Sequence, residues 1–165
     1  MNDNFFISFC WFLASQSKDK KTKLGAVIVS PHGDIKSVGW NGFPRKINDA
    51  RKERQERPEK YYWFVHAEHN AILNAGRNGV QLKGCTLYSS AYPCHNCAQA
   101  IIQSGIVKVV YDVHLGGWNE STLRAKDMLI EASVMCFKHN TYDLIIPKRF
   151  IDGKEVKLLK NGVIK

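Results

Sequence analysis

The sequence predicts an α/β protein, a mixed and largely parallel sheet covered by helices, in one domain spanning residues 1–165. Three observations carry this. Short β-branched runs alternate along the chain with longer segments of helical apolar spacing. The 165 residues are 44% hydrophobic and include four tryptophans and eight phenylalanines, enough to bury one sizeable core without staples. No internal repeat, low-complexity tract or linker divides the chain.

Each element follows from its own residues. The apolar run "FFISFCWFLA" (5–14) is too short to span a bilayer and follows Asn2, Asp3 and Asn4 rather than a basic leader, so it reads as a core helix. "SKDKKTK" (17–23) is a polar connector, and "GAVIVS" (25–30) has the profile of a buried strand. "PHGD" (31–34) is turn chemistry, which makes "DIKSVGW" (34–40) the hairpin partner. Residues 45–60 mix both charges densely with no apolar stripe and read as a solvated, partly helical excursion. "AEHNAILNAGRNG" (67–79) places Ala67, Ala71 and Ile72 at helical spacing with Gly76 as the stop. "CTLYSS" (85–90) is a strand, "CAQAIIQSG" (97–105) a helix and "VKVVYD" (107–112) a strand, followed by a helix at about 121–132 and the strand "VMCF" (134–137). From about 138 to 165 the chain forms a C-terminal extension in which Asp152-Gly153 suggests a hairpin.

The net charge of +9 suits polyanionic or phosphorylated partners, and equally a surface kept soluble by charge, so it identifies no ligand. Five cysteines with only one close pair argue against a secreted disulfide framework and for a reducing, cytoplasmic compartment.

That pair, Cys94 and Cys97 in "PCHNC", opens a helix, where the positive helix end and a zinc ion both stabilise thiolates. Alone it is as readily a redox motif. His66, at the start of another helix in "HAEHNAI", supplies a third donor, and Glu68 points the same way if it lies in the first turn. If His69 also binds, the site is closed and structural. If it does not, the fourth position is open, and Glu68 decides for this reading: a carboxylate beside an activated water can accept its proton, whereas beside a closed ion it has no role. His95, inside the cysteine pair, reads as a surface residue.

The two-part pattern H-A-E (66–68) with P-C-x-x-C (93–97) resembles the signature of zinc-dependent nucleoside and nucleobase deaminases. Its surroundings, "SKDKKTKLGAVIV", "GWNGFPR", "RPEKYYWFVHAEHNAI" and "CAQAIIQSGIVKVVYD", resemble the deoxycytidylate deaminase family from about residue 8 to about 135. The resemblance implies a cytidine-deaminase-like three-layer α/β/α sandwich with a mixed five-stranded sheet. It also implies zinc-dependent hydrolysis of dCMP to dUMP and ammonia, which supplies dUMP for thymidylate synthesis. It implies one catalytic Zn2+ per subunit, a homohexamer, and dCTP and dTTP as effectors, with Mg2+ accompanying the triphosphate. Carried over by position, His66, Cys94 and Cys97 match the zinc ligands, Glu68 the proton shuttle and Asn41 the asparagine that contacts the sugar. The backbone of Ala91 and Tyr92 would border the base, Arg77 and then Arg45 would meet the 5′-phosphate, and Gly39, Trp40 and Gly42 would form an effector loop. Cys10, Cys85 and Cys136 are isolated and read as core residues, so no second zinc is expected.

Two rival readings remain at this point. One is a deaminase acting on a base in tRNA or single-stranded DNA, against which Glu53, Glu56 and Glu59 interrupt any phosphate track in the 45–60 excursion. The other is a non-catalytic, zinc-stabilised interaction module, against which Glu68 stands.

Overall fold

In chain order, the computed structural model describes residues 2–139 and the strands at 149–151 and 154–156. The first helix, α1 (Asp3–Ala14), is followed by the hairpin β1 (Gly25–Val29) and β2 (Ile35–Trp40), a single 3-10 turn (Lys52–Gln55) and the one-turn helix α2 (Lys60–Trp63). Then come α3 (Ala67–Arg77), β3 (Thr86–Ala91), α4 (His95–Gln103), β4 (Lys108–Val113), α5 (Glu120–Glu131) and β5 (Met135–Lys138). The main sheet has five strands in the order β2-β1-β3-β4-β5. β1 runs antiparallel to both β2 and β3, whereas β3, β4 and β5 are parallel, so the sheet is evenly mixed rather than largely parallel. The reason is topological. The α3 connection starts from β2, so β3 runs with β2 and against β1, the strand it lies beside.

The strand period of two sorts the sheet's side chains into two cores. Val27, Val29, Tyr88 and Val110 meet Phe6, Ile7, Cys10 and Leu13 of α1 on one face. Ala26, Ile28, Leu87 and Val109 meet α3, α4 and α5 on the other, through residues such as Ala71, Ile101 and Leu129. All of β1 is buried because both its faces are covered. This is the expected three-layer sandwich. α1 is not buried all round, since Phe5 and Phe12 remain half exposed on its outer side.

Two glycines let the layers close. A Cβ at Gly25 would lie 2.0 Å from the Cys10 carbonyl oxygen of α1, and one at Gly39 would lie 2.4 Å from the Ala67 carbonyl oxygen and 2.4 Å from the Ala71 nitrogen of α3. Gly39, expected in an effector loop, therefore sits inside β2 as the contact on which α3 seats.

Several boundaries differ from the pattern-based expectation. α3 runs through Gly76 to Arg77, and the left-handed residue beyond it is Gly79, with φ 66°. α4 begins at His95, two residues before the expected start, because Cys94 is already its N-cap. The "SKDKKTK" connector is not wholly polar surface, since Ser17 and Asp19 are buried, and Lys60, at the end of the expected solvated excursion, is buried too. In the C-terminal extension β6 (Arg149–Ile151) pairs antiparallel with β7 (Lys154–Val156), as a hairpin there requires. Its turn residues Asp152 and Gly153 lie outside the described residues.

Gly39→Ala is expected to destabilise the fold by about 1–3 kcal/mol, because both atoms it meets are backbone. Gly42→Ala, where a Cβ meets nothing within 4 Å, is expected to change stability far less. Urea denaturation of the two variants side by side measures the difference.

Candidate metal centre

Two helix N-termini converge beyond the sheet edge formed by the end of β3. His66 is the N-cap of α3 and Cys94 the N-cap of α4; both have extended backbone, and neither side chain caps its own helix. An extended N-cap points its side chain off the helix end rather than along its flank. His66 Nδ1 consequently lies 3.3 Å from Cys94 Sγ and 3.6 Å from Cys97 Sγ. The three donor atoms all fall within 4.8 Å of one another, and among the described residues no other group of His, Cys, Asp or Glu converges in this way.

These separations fit zinc. Tetrahedral bonds of about 2.3 Å to sulfur and about 2.0–2.1 Å to nitrogen place an N and an S ligand roughly 3.6 Å apart. His69 is not in the group; its backbone N–H, not its ring, faces the Cys97 sulfur. His95 turns away as well, its Nδ1 lying 2.8 Å from Ser121 Oγ at the start of α5. Three protein donors converge here, one fewer than a closed tetrahedral site holds.

Glu68 occupies the first turn of α3 and is 3% exposed. One carboxylate oxygen accepts a hydrogen bond from Ser89 Oγ of β3 at 3.0 Å, and the other lies 3.7 Å from Cys97 Sγ. Burial pushes its pKa upward, opposed by the His66 charge. In the metal-free charge pattern, the hydrogen bond from Cys97 pulls the Cys94 thiol down to about 3, helped by His66. The hydrogen bond with the Cys94 thiolate in turn lifts His66 to about 9. The Cys97–Cys94 hydrogen bond, together with burial, holds the Cys97 proton in place. The pocket therefore already favours a thiolate where a cation would sit.

Sequence comparison bears on the same residues. The model for the cytidine and deoxycytidylate deaminase zinc-binding region matches residues 1–113, which include the triad and Glu68. The chain belongs to this family. It is 50% identical to the deoxycytidylate deaminase of Enterobacteria phage T4, over 73% of this chain and 84% of that protein. It is 37% identical to the "probable deoxycytidylate deaminase" of Drosophila melanogaster, over 84% of this chain and 71% of that one. The solved structure of dCMP deaminase from cyanophage S-TIM5 in complex with dCMP and dUMP superposes with a TM-score of 0.69 at 25% identity, covering 82% of this chain and 94% of that chain.

The other expected site residues fall into two sets. Asn41 is buried on the same rim, because Gly42 bridges Val65, the residue before His66. Ala91 and Tyr92 lead directly into the cysteines; the Ala91 N–H donates to Ser89 Oγ and the Tyr92 N–H to the Val113 carbonyl. The Tyr92 ring packs on Tyr111, His114 and Trp118, which anchors the "HLGGWNE" segment beside the cysteines. Arg77 is not brought to the metal centre within this chain. It is the last residue of the eleven-residue α3, roughly 15 Å along the axis from His66. Arg45 donates to Asn74 Oδ1 at 2.7 Å, also toward the far end of α3. Trp40 is half exposed, and its carbonyl accepts from Asn70 Nδ2 at 2.8 Å. Ser89 was invisible to pattern reading, since a serine in a strand of apolar neighbours carries no signal of its partner. Among the described residues no helix is long and apolar enough to cross a membrane.

His69→Ala is expected to retain about one zinc per chain, and His66→Ala to lose it, as read by metal analysis after exhaustive dialysis. Equal loss from the two variants would mean that the site is closed by four protein donors.

Proposed function

We propose that this protein hydrolyses dCMP to dUMP and ammonia, with His66, Cys94 and Cys97 as ligands of one zinc ion and Glu68 as the proton carrier. The observation that carries the reading is Glu68, a buried carboxylate in contact with Cys97 and fixed by Ser89. A carboxylate so placed is costly to bury unless its charge or its proton is used. Zinc, when bound, supplies Lewis-acid activation of the attacking water. Glu68 takes one proton of the attacking water and delivers it to N3 of the pyrimidine as C4 is attacked; it then takes the water's second proton from the new C4 hydroxyl and passes it to the amine, which departs as ammonia and leaves the C4 carbonyl of dUMP. Its raised affinity for a proton suits that return step. Ser89 holds one oxygen, so the other stays aimed toward the triad. The Ala91–Tyr92 backbone, tied to Ser89 and Val113, forms a fixed wall for the base.

The name of the phage relative and the nucleotides bound in the cyanophage structure support dCMP as the substrate. The family resemblance as a whole supports extending the reading to a homohexamer regulated by dCTP and dTTP with Mg2+, and the unpaired cysteines support a reducing, cytoplasmic compartment. In such an assembly Arg77, at the far end of α3 from its own metal centre, would serve the 5′-phosphate at a neighbouring copy's site.

The zinc-loaded protein is expected to release ammonia from dCMP. Glu68→Ala is expected to keep its zinc and lose roughly 10²–10⁴-fold in kcat. Turnover by a zinc-loaded Glu68→Ala protein comparable to the unmutated one would remove Glu68 from the mechanism. Absence of ammonia release from dCMP by the zinc-loaded protein would remove the substrate assignment.

A further inference from the structure

Between α5 and the strands β4 and β5, on the sheet face opposite α1, lies a cavity of about 310 Å³, within the range of small-molecule sites. Tyr92 lines it, whereas none of His66, Glu68, Cys94 and Cys97 does, so it is not the metal centre. Its walls are mainly apolar. The Tyr92 and Tyr111 rings meet edge to face with centroids 4.8 Å apart, Trp118 meets Tyr92 at 5.3 Å, and Leu129 closes the α5 side. Its polar side chains are donors. Tyr92 is 9% exposed and Tyr111 half-buried, yet among the described residues neither phenol hydroxyl has a hydrogen-bond partner. Buried tyrosine hydroxyls ordinarily find one. Cys136 adds a half-buried thiol, and Lys126 holds its ammonium 5.2 Å from the centre of the Trp118 ring, in no ion pair among the described residues. Burial pushes Tyr92 up to about 12 and Cys136 up to about 11, and raises Tyr111 as well, so all three keep their protons at neutral pH. A charge on Cys136 would act on both phenols, which sets the three groups around one space.

We propose that this cavity is a second ligand site, for a small aromatic carboxylate, on the far side of Tyr92 from the zinc ligands. The proposal goes beyond the deamination reading and does not rest on it. Two unmet hydroxyl donors, a thiol and an ammonium call for an acceptor, and a carboxylate accepts from several donors at once. Such hydrogen bonds to a charged acceptor are roughly twice as strong as neutral ones. Among the described residues that line the cavity there is no carboxylate and no side-chain amide, so a ligand that brings donors of its own, such as an amine or amidine, finds no match. Asp127 acts on Tyr92 more weakly than Cys136 and Tyr111 and does not line the cavity. The aromatic and aliphatic walls suit a flat apolar body, which a bare inorganic anion lacks. A triphosphate is also a poor match, since one exposed lysine is the only basic group among the described lining residues. The ring of an aromatic carboxylate would lie among Tyr111, Trp118 and Leu129, with its charged edge toward the hydroxyls and Lys126. Its occupant would touch the residue that leads through Pro93 into Cys94 and whose N–H is bound to the Val113 carbonyl at 2.9 Å.

The probe is benzoate, titrated by NMR against the zinc-loaded full chain, with benzyl alcohol as its uncharged counterpart. Benzoate is expected to bind with a Kd of about 1 mM, roughly tenfold more tightly than benzyl alcohol. Tyr111→Phe, which removes one hydroxyl and keeps the ring, is expected to weaken benzoate by about five- to tenfold. Lys126→Met is expected to weaken it by about threefold while leaving benzyl alcohol within about twofold, and Lys126→Arg to restore it. Cys136 reports the place of binding. Cys10 and Cys85 are buried and Cys94 and Cys97 hold the zinc, so alkylation by iodoacetamide, mapped by peptide mass, falls on Cys136, and benzoate is expected to slow it severalfold. Benzoate that leaves Cys136 unprotected and is indifferent to Tyr111→Phe is held elsewhere, at the zinc ion for instance, and overturns the inference. No binding at about 10 mM leaves the cavity to water and overturns it equally. Ammonia release from dCMP enters neither readout, so failure here and failure of the deamination reading are told apart.

Discussion

Everything at the site depends on two helices starting at the same point. An N-cap residue has an extended backbone, so its side chain leaves the helix end, and a polar one ordinarily folds back to cap an orphan N–H. His66 and Cys94 do not fold back. Each helix thereby forgoes roughly 1 kcal/mol of capping. What it gains is a positive helix end facing an unengaged donor, and two such ends meeting leave a spot that prefers thiolates and the ion they hold. Neighbouring side chains act in the same direction: the Cys97 hydrogen bond, the largest cause, and His66 bring the Cys94 pKa down to about 3. The rest of the fold can be understood as the framework that holds the two helix starts together. α3 is seated on β2 through Gly39, and α4 leaves directly from β3.

Glu68 shows the opposite economy. It lies in the same first turn as the triad's histidine, where a negative charge is favoured by the helix, yet it is buried, and burial pushes its pKa upward. The helix end and the His66 charge oppose that push without cancelling it, and the proposed role of Glu68 as proton carrier draws on this balance. The Ser89 hydrogen bond stops this balance from becoming disorder, because it fixes one oxygen and leaves the other facing Cys97. Ser89 is itself fixed by strand pairing, opposite Ala26 of β1. The orientation of the Glu68 carboxylate is therefore set by the register of the sheet.

This division explains what the sequence made legible. His66 with Glu68, and Cys94 with Cys97, are local pairs whose spacing means something on a helix start, so the triad and its acid could be read directly. A helix-covered α/β sheet was legible as an alternation of short apolar runs, and the five-stranded three-layer sandwich only through the family resemblance. Strand direction was not, since it depends on which neighbour β3 chooses after α3. Ser89, Asp19 and Lys60 were missed for one reason: each derives its meaning from a partner 21 to 41 positions away. A charged residue in a charged segment reads as solvated, and Lys60 sits in the densest such segment of the chain. Gly76 misled because a glycine near a helix end resembles a stop, while the left-handed turn was made three residues later by Gly79.

The charged segment at 45–60 also shows why counting charges gives little insight into this surface. Three lysine–acid pairs link the 45–60 segment to the 17–23 loop: Lys18 with Asp49, Lys21 with Glu56, and Lys60 with Asp19. The first two are exposed, and pairs of that kind contribute about 0–1 kcal/mol once screening and side-chain entropy are included. The third is buried, and removing one member of such a pair leaves an uncompensated charge in a place that water does not reach. The excursion is therefore tied to the metal end of the molecule mainly through one ion pair. The lysines that raise the net charge of the 17–23 loop are partly neutralised by the acids of the excursion, which is the reverse of what a continuous phosphate track would need. A small nucleotide needs a few groups held at fixed positions, and a braced, partly neutralised loop beside a single metal centre meets that need better than a uniformly basic face would.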